Sequence, residues 1–297
     1  MVLQNTLDVI DEQGWLEPAS DVVQRATSEA LTGGSARRKL DNFLNGTWLG
    51  HPLHPVLTDV PVGAWTLTLV LDGAESVNGR RELAKGAAVA LAVGLAGALG
   101  SAVTGLAQWQ YTIGRARRLG LAHALLNVGA TALYGASLVL RARGARGAGK
   151  LTALLGYGVV VYSAYLGGDL VYGERLGVNH APEQELPDHF VPVLAESALP
   201  ENVLKRVDVQ GVPVLLVRQG ERIFALGEVC SHLGGPLAEG QLEGSSVICP
   251  WHGSQFALDD GRVLNGPATF EQPHYETRVR DGQIELRQRA PSAVGGG

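Results

Sequence analysis

The only two cysteines of the 297-residue chain each stand beside a histidine, in Cys230-Ser231-His232 and Cys249-Pro250-Trp251-His252. Each segment therefore offers one thiolate and one imidazole, and the sixteen residues between them are enough for a short hairpin that sets the two loops face to face. Two thiolates on one iron and two imidazoles on the other are the ligands of one kind of [2Fe–2S] cluster, whose potential the neutral imidazoles raise above that of an all-cysteine site. A single zinc ion accepts the same four side chains in a tetrahedron, but zinc sites usually build each half from like ligands. Here each half is mixed and runs into a glycine-rich turn, Leu233-Gly234-Gly235-Pro236 and Gly253-Ser254. A disulfide between the cysteines would leave both histidines without a purpose.

The elements that must hold these loops read as strands. Val212 to Val217 is β-rich, Arg222 to Leu226 follows the turn Gln219-Gly220, and Val247-Ile248 leads into the second loop. Tyr275 to Arg280 and Ile284 to Arg287 alternate apolar and polar residues about Asp281-Gly282, which predicts an antiparallel β domain.

The stretches CSHLGGPL and CPWHGSQFALDDGRVLNGPAT resemble the cluster loops, hairpin and proline loop of the Rieske family, a likeness running from Leu186 to Arg289. The resemblance implies that Cys230, His232, Cys249 and His252 are the metal ligands and that Gly266-Pro267 covers the cluster. Members that oxidise quinol in cytochrome bc complexes carry an additional cysteine in each loop. Gly235 and Trp251 occupy those positions here, and Phe256 stands where high-potential members have a tyrosine, while Ser254 is kept. The domain therefore looks closer to a Rieske ferredoxin.

The first two thirds are of another composition. Gly86 to Leu106, Leu119 to Leu140 and Leu151 to Gly168 are 21, 22 and 18 residues with no side chain from Asp, Glu, Lys or Arg, near the ~20 residues that cross a hydrocarbon core. Helices buried in a soluble bundle would show a polar stripe, which these lack. Glycines such as Gly94, Gly97 and Gly100 allow close helix approach in lipid. A fourth span, Val56 to Leu71, is interrupted by Asp59 and Pro61; it is included because Gly46 to Pro55, with His51-Pro52-Leu53-His54-Pro55, then Asp59, Pro61, Gly63 and Asp72, resembles the opening of a bacterial four-helix membrane family of unassigned function. The expected fold is an all-α transmembrane four-helix bundle followed by an all-β Rieske domain: a soluble amphipathic segment 1–43, the membrane domain 44–178, a linker 179–186, the Rieske domain 187–290 and a disordered tail 291–297.

Four spans bring His51, His54, His123 and His180 toward the membrane surface that carries the Rieske domain, with Asp59 and Asp169 on the same side. These histidines are the candidates for binding haem b, another metal or a quinone; capping and interhelical hydrogen bonding are the plainer reading. Leu16 to Leu31 reads as an amphipathic helix lying on the membrane or on the Rieske domain. Arg37-Arg38-Lys39 reads as a solvated or phosphate-facing cluster, since no apolar run follows it closely enough for an export signal. Basic residues tie across the two sides; assembly of iron–sulfur domains in the cytoplasm then favours a cytoplasmic cluster on a multi-pass cell-membrane protein. A net charge of −5 offers no nucleic-acid footprint, and the sequence reads as free of internal repeats.

The expected function is membrane-anchored transfer of single electrons between a [2Fe–2S] cluster and a redox partner, whether quinone, ferredoxin, reductase or oxygenase. Its alternative is a redox-sensing scaffold. The lipid bilayer is the other partner, and oligomerisation is left open. A mononuclear iron site of two histidines and a carboxylate, which a Rieske oxygenase needs, is not evident, so the chain reads as a component of an oxidoreductase system.

Overall fold

The computed structural model describes residues 2–31, 33–181 and 186–289, with side chains from Leu7 onward. Residues 182–185 of the expected linker and the expected tail 291–297 lie outside the described residues. The chain forms two compact units: Met1–Asn45 with Pro52–Gly177, and Gly46–His51 with Val178–Gly297.

The first unit is helical. Helices α1 (Val2–Asp11), α2 (Leu16–Leu31) and α3 (Gly34–Asn45) precede four long ones, α4 (Leu53–Asn78), α5 (Glu82–Trp109), α6 (Gly114–Ala142) and α7 (Arg146–Gly168), the last continued by a π-type turn, Asp169–Gly173. Gly79 ends α4 in the left-handed conformation, φ 63°, with its N–H on the Glu75 carbonyl at 2.9 Å, a conformation that glycine adopts without a Cβ penalty. Helices α5, α6 and α7 with its turn are long and apolar enough to cross a membrane, with mean hydropathies of 1.9, 1.4 and 1.4. In α4, Thr68 and Asp72 are buried with Trp65, while Val56, Val60, Val62, Leu67 and Val70 are exposed, as is Asp59.

The amphipathic α2 lies on the helical unit itself, where Leu16 packs with Trp109 and Leu121. The Arg115–Arg118 cluster at the start of α6 is met by acids from α1, α2 and the turn that follows α7 with the residue after it: Arg115 pairs with Asp11 at 2.7 Å, Asp169 at 2.9 Å and Glu174 at 2.6 Å, and Arg117 with Glu17 at 3.1 Å.

The reading of a repeat-free sequence is corrected here. Helix α4 packs chiefly on α5, and α6 on α7, and the two hairpins carry the same devices at matching positions. His54 meets the Ser101 carbonyl as His123 meets that of Ser163. Trp65 lies over Gly94 as Tyr134 lies over Gly156. Thr68 bonds the Ala87 carbonyl as Ser137 bonds that of Gly149. The first members of these pairs, His54/His123, Trp65/Tyr134 and Thr68/Ser137, share the separation of 69 residues found between Asp72 and Arg141, and their partners on α5 and α7 likewise share one offset. Across the two halves Trp65 stacks on Tyr134 with centroids 4.0 Å apart and planes 12° apart, and Arg141 grips Asp72 through two guanidinium nitrogens. The hairpins therefore form a twofold-like pair, with homologous side chains meeting where the halves join.

The second unit is β. Its strands are β1 (Val191–Ala195), β2 (Lys205–Val209), β3 (Val212–Gln219), β4 (Arg222–Gly227), β5 (Gln241–Glu243), β6 (Ser246–Ile248), β7 (Gln255–Ala257), β8 (Val263–Asn265), β9 (Tyr275–Arg280) and β10 (Gln283–Gln288). They make three antiparallel sheets, β1-β10-β9, β2-β3-β4 and β5-β6-β7-β8. One core, with Leu215, Val217, Leu226, Leu237, Val247 and Phe256, encloses both cysteines. The other holds Val214, Leu216, Tyr275, Ile284 and Leu286. Alternate residues of β3 feed opposite cores, as a strand's period of two requires. Residues 46–51 group with this unit, where Thr47 Oγ1 lies 3.5 Å from the Ala268 carbonyl.

Candidate metal centre

The two Cys–His segments occupy equivalent loops. The first leaves β4: Cys230 N–H donates to the Gly235 carbonyl and Gly234 N–H to that of Cys230, both at 2.8 Å. The second joins β6 to β7: Cys249 N–H donates to the Ser254 carbonyl at 2.8 Å and Gly253 N–H to that of Cys249 at 3.1 Å. Each turn closes through a glycine of positive φ, Gly234 at 81° and Gly253 at 76°, which is why these turns are glycine-rich.

Buried Gln272 fixes the first loop. Its Oε1 accepts the Ser231 N–H at 2.7 Å, and its Nε2 donates to the Gly227 and Val229 carbonyls at 2.9 Å. Ser231 Oγ donates to the Phe270 carbonyl at 2.6 Å. Sequence reasoning missed Gln272, because a buried glutamine that satisfies a distant loop has no local signature. Ser254 ties the second loop to the proline loop by accepting the Ala268 N–H at 3.0 Å.

The structure brings the four candidate ligands together in two pairs. The thiols of Cys230 and Cys249, 1% and 3% exposed, hydrogen-bond to each other within the core. The imidazoles of His232 and His252 are only half-buried and stand edge to face with centroids 5.1 Å apart. The four side chains thus fall into a thiol pair and an imidazole pair. Burial, followed by the neighbouring His252 and His180, pulls the His232 pKa down to about 3, and burial also lowers that of His252. Both rings are thus neutral near pH 7, the state in which imidazole ligates metal. For the thiols, the hydrogen bond between them and burial push Cys230 upward.

Gly235 adds a steric observation. A Cβ there would stand 2.8 Å from Cys249 Sγ and 3.1 Å from the Trp251 ring. The bare glycine keeps open the space beside the sulfur, and the two positions at which this sequence lacks the additional cysteines are spatial neighbours, with the Trp251 indole lying beside Gly235. Phe256, fully buried in the cysteine core, contributes no hydroxyl.

The other candidates are distributed between the units. His54 and His123 belong to the helical unit, and His51 and His180 to the second, where His180 N–H donates to the Ser231 carbonyl at 2.9 Å. Asp59 is exposed on α4. Asp169 is paired with Arg115. Sequence reasoning did not foresee the Asp72–Arg141 pair.

A Rieske [2Fe-2S] domain model matches residues 189–276, and a model described as predicted membrane protein (DUF2231) matches residues 50–180. Over 96 residues the chain is 29% identical to the ferredoxin CarAc of Metapseudomonas resinovorans, a match covering 32% of this chain and 90% of that protein. Over 74 residues it is 34% identical to the anthranilate 1,2-dioxygenase ferredoxin subunit of Burkholderia cepacia, covering 25% and 68%. Among solved structures, the ferredoxin of carbazole 1,9a-dioxygenase from Nocardioides aromaticivorans IC177 is 25% identical, with 34% of this chain and 98% of that one covered and a TM-score of 0.33. The Rieske domain implies a [2Fe–2S] cluster, electron transfer and a redox partner, and the paired thiols, paired neutral imidazoles and open flank at Gly235 fit that group. By its mixed Cys–His loops and the domain that carries them, this chain belongs to the Rieske [2Fe-2S] family, and the helical residues 50–180 ahead of that domain match the model described as predicted membrane protein (DUF2231).

Proposed function

We propose that the chain is a membrane-anchored single-electron carrier in which Cys230 and Cys249 hold one iron and His232 and His252 the other. The observation that carries this reading is the sorting of the four side chains, thiols together in the core and imidazoles together at the half-exposed edge. A [2Fe–2S] cluster supplies a one-electron couple when bound. The protein orients it: Gln272 and Ser231 fix the first loop, Ser254 the second, and the apolar core excludes water from the sulfur side. The histidine edge, with exposed Trp251 beside His252, is then the face where electrons enter and leave. The likeness to ferredoxins of dioxygenase systems supports an oxygenase or a ferredoxin reductase as the soluble partner.

The helical unit anchors the carrier through four spans. Thr68 and Asp72, buried in α4 while Val60, Leu67 and Val70 are exposed, support counting it with α5–α7. The cluster unit follows an even number of spans and faces the cytoplasm, where iron–sulfur domains are assembled. A second redox group, haem b or a quinone, is held among the helices.

Electron paramagnetic resonance of the dithionite-reduced protein in detergent tests the ligand assignment. The wild-type chain is expected to give the signal of a Cys2His2-ligated [2Fe–2S] cluster; Cys230→Ser is expected to lose it, and His252→Cys to convert it toward an all-cysteine type at lower potential. An unaltered signal in either variant would remove the assignment.

A further inference from the structure

Helix α3 sorts its charges by face. Its one carboxylate, Asp41, is turned into the helical unit and 7% exposed: Oδ1 accepts from Asn45 Nδ2 at 3.0 Å and from Gln110 Nε2 at 3.2 Å, and Oδ2 accepts from the Tyr111 hydroxyl at 2.8 Å. Leu44, one turn on, packs with Leu31 and Ala107. Arg37, Arg38 and Lys39 are all exposed, and so are Leu40 and Phe43, at 46% and 53%. Residues three and four apart share a helix face. Leu40 and Phe43 therefore make one apolar strip, apart from the buried face of Asp41, Leu44 and Asn45, with Arg37 one turn before Leu40 and Lys39 one turn before Phe43.

The height of this strip is set by what α3 grips. Ala107 lies in the last turn of α5, and Gln110 and Tyr111 are the first residues beyond it; α5 is long and apolar enough to cross a membrane. Helix α3 thus lies at the end of a span, where hydrocarbon gives way to headgroups. The same end carries exposed Trp15 and Val22, the latter on α2, whose Gln24 donates to the Trp109 and Thr112 carbonyls at 3.1 and 2.9 Å. Apolar side chains exposed at that height beside a row of cations are the pattern of a helix lying in the interface plane. The cations restrict the lipid. Arg115 and Arg117, at the same end, are matched by carboxylates of the protein itself. Arg37 donates to the Glu29 carbonyl at 2.8 Å, and among the described residues no ion pair joins a carboxylate to Arg38 or Lys39.

We propose that α3 is a lipid-binding helix that seats Leu40 and Phe43 among acyl chains and receives the phosphates of anionic phospholipid on Arg37, Arg38 and Lys39. This rests on the reading of the helical unit as membrane-embedded and goes beyond it by naming the class of lipid and the side chains that take it.

The test uses the full-length protein in vesicles of phosphatidylcholine containing one quarter phosphatidylglycerol, with spin-labelled analogues of both lipids reporting which is held at the protein surface. Wild type is expected to favour phosphatidylglycerol at low salt and to lose most of that preference at about 1 M salt, where the Debye length is ~3 Å. Arg37→Gln/Arg38→Gln/Lys39→Gln is expected to lower the preference at least about fivefold, the effect of one basic side chain near an anionic surface. Arg37→Lys/Arg38→Lys/Lys39→Arg keeps the charge and is expected to retain it. In separate samples a nitroxide introduced through Leu40→Cys is expected to meet oxygen, which concentrates in hydrocarbon, more than a water-soluble nickel chelate; the two native cysteines, 1% and 3% exposed, are shielded from the label. A nitroxide introduced through Leu99→Cys, at a position of α5 that is 67% exposed, reports the span itself. A preference unchanged in the glutamine variant would overturn the proposal. So would a label at position 40 that sits in water, or one that a protein surface shields from both probes, while the label at position 99 lies in lipid; the membrane reading would then stand alone. A label at position 99 in water would overturn the membrane reading and this proposal with it.

Discussion

At the scale of single residues the cluster site depends on an absence of side chain. Gly235 leaves room beside Cys249 Sγ, 2.8 Å from where a Cβ would sit, and a sulfur fixed by a metal cannot yield as a loose side chain can. Gly235→Ala is therefore expected to weaken cluster assembly by about 1–3 kcal/mol, the usual cost of overpacking. Iron per chain and signal amplitude under limiting iron measure it. Trp251→Ala added to that change relieves only the contact with the indole, so the double variant is expected to stay deficient. Full recovery would move the clash onto the ring and away from the sulfur. The pairing of each cysteine with a histidine was visible in the sequence because loop chemistry is local, whereas the place of Gly235 beside Cys249 Sγ shows only in the folded chain. Gln272 was not visible either, since its three partners lie some forty residues away in sequence.

At the scale of elements the sequence was informative where a pattern is contiguous. The helix Leu16–Leu31, the three apolar spans and the strands on either side of the loops lie where hydrophobic periodicity puts them. The duplication escaped because its identity is confined to short segments on separate helices: Thr68-Leu69-Val70-Leu71-Asp72 returns as Ser137-Leu138-Val139-Leu140-Arg141, and Ser101-Ala102-Val103-Thr104-Gly105 as Ser163-Ala164-Tyr165-Leu166-Gly167. One exchange inverts a charge, and that inversion lets the halves bind each other. The Asp72 and Arg141 side chains are 7% and 8% exposed, so removing either leaves an uncompensated charge in a buried place. Asp72→Ala and Arg141→Ala are each expected to cost about 3–5 kcal/mol, read as a lowered unfolding midpoint in detergent. The swap Asp72→Arg/Arg141→Asp is expected to recover most of that loss; a swap as unstable as the single variants would mean that local packing, not the pair, carries the stability.

At the scale of the whole molecule the open matter is how many helices cross the bilayer. Counting basic residues is a poor guide here, because Arg115 and Arg117 are committed to carboxylates of α1, α2, the turn after α7 and the residue that follows it, so they act less as free positive charge at a membrane face. The direction of polarity in α4 is the better guide. A helix in water turns its apolar stripe inward, whereas α4 exposes Val60, Leu67 and Val70 and buries Thr68 and Asp72, as a lipid-facing helix would. On the proposed count of four spans the connections alternate between the two sides. Green fluorescent protein fused after Asn45, after Thr112 or at the C-terminus is expected to fluoresce, and fusions after Gly79 or Gly144 are expected to be dark there and active as alkaline phosphatase fusions. If the fusion after Gly79 fluoresced with that after Asn45, α4 would lie on the surface and only three helices would span. The cluster would then follow an odd number of crossings, and with Asn45 and Gly79 both in the cytoplasm the C-terminus would lie on the far side. Fluorescence after Gly79 and Gly144 with darkness at both ends would instead keep four spans and reverse the orientation.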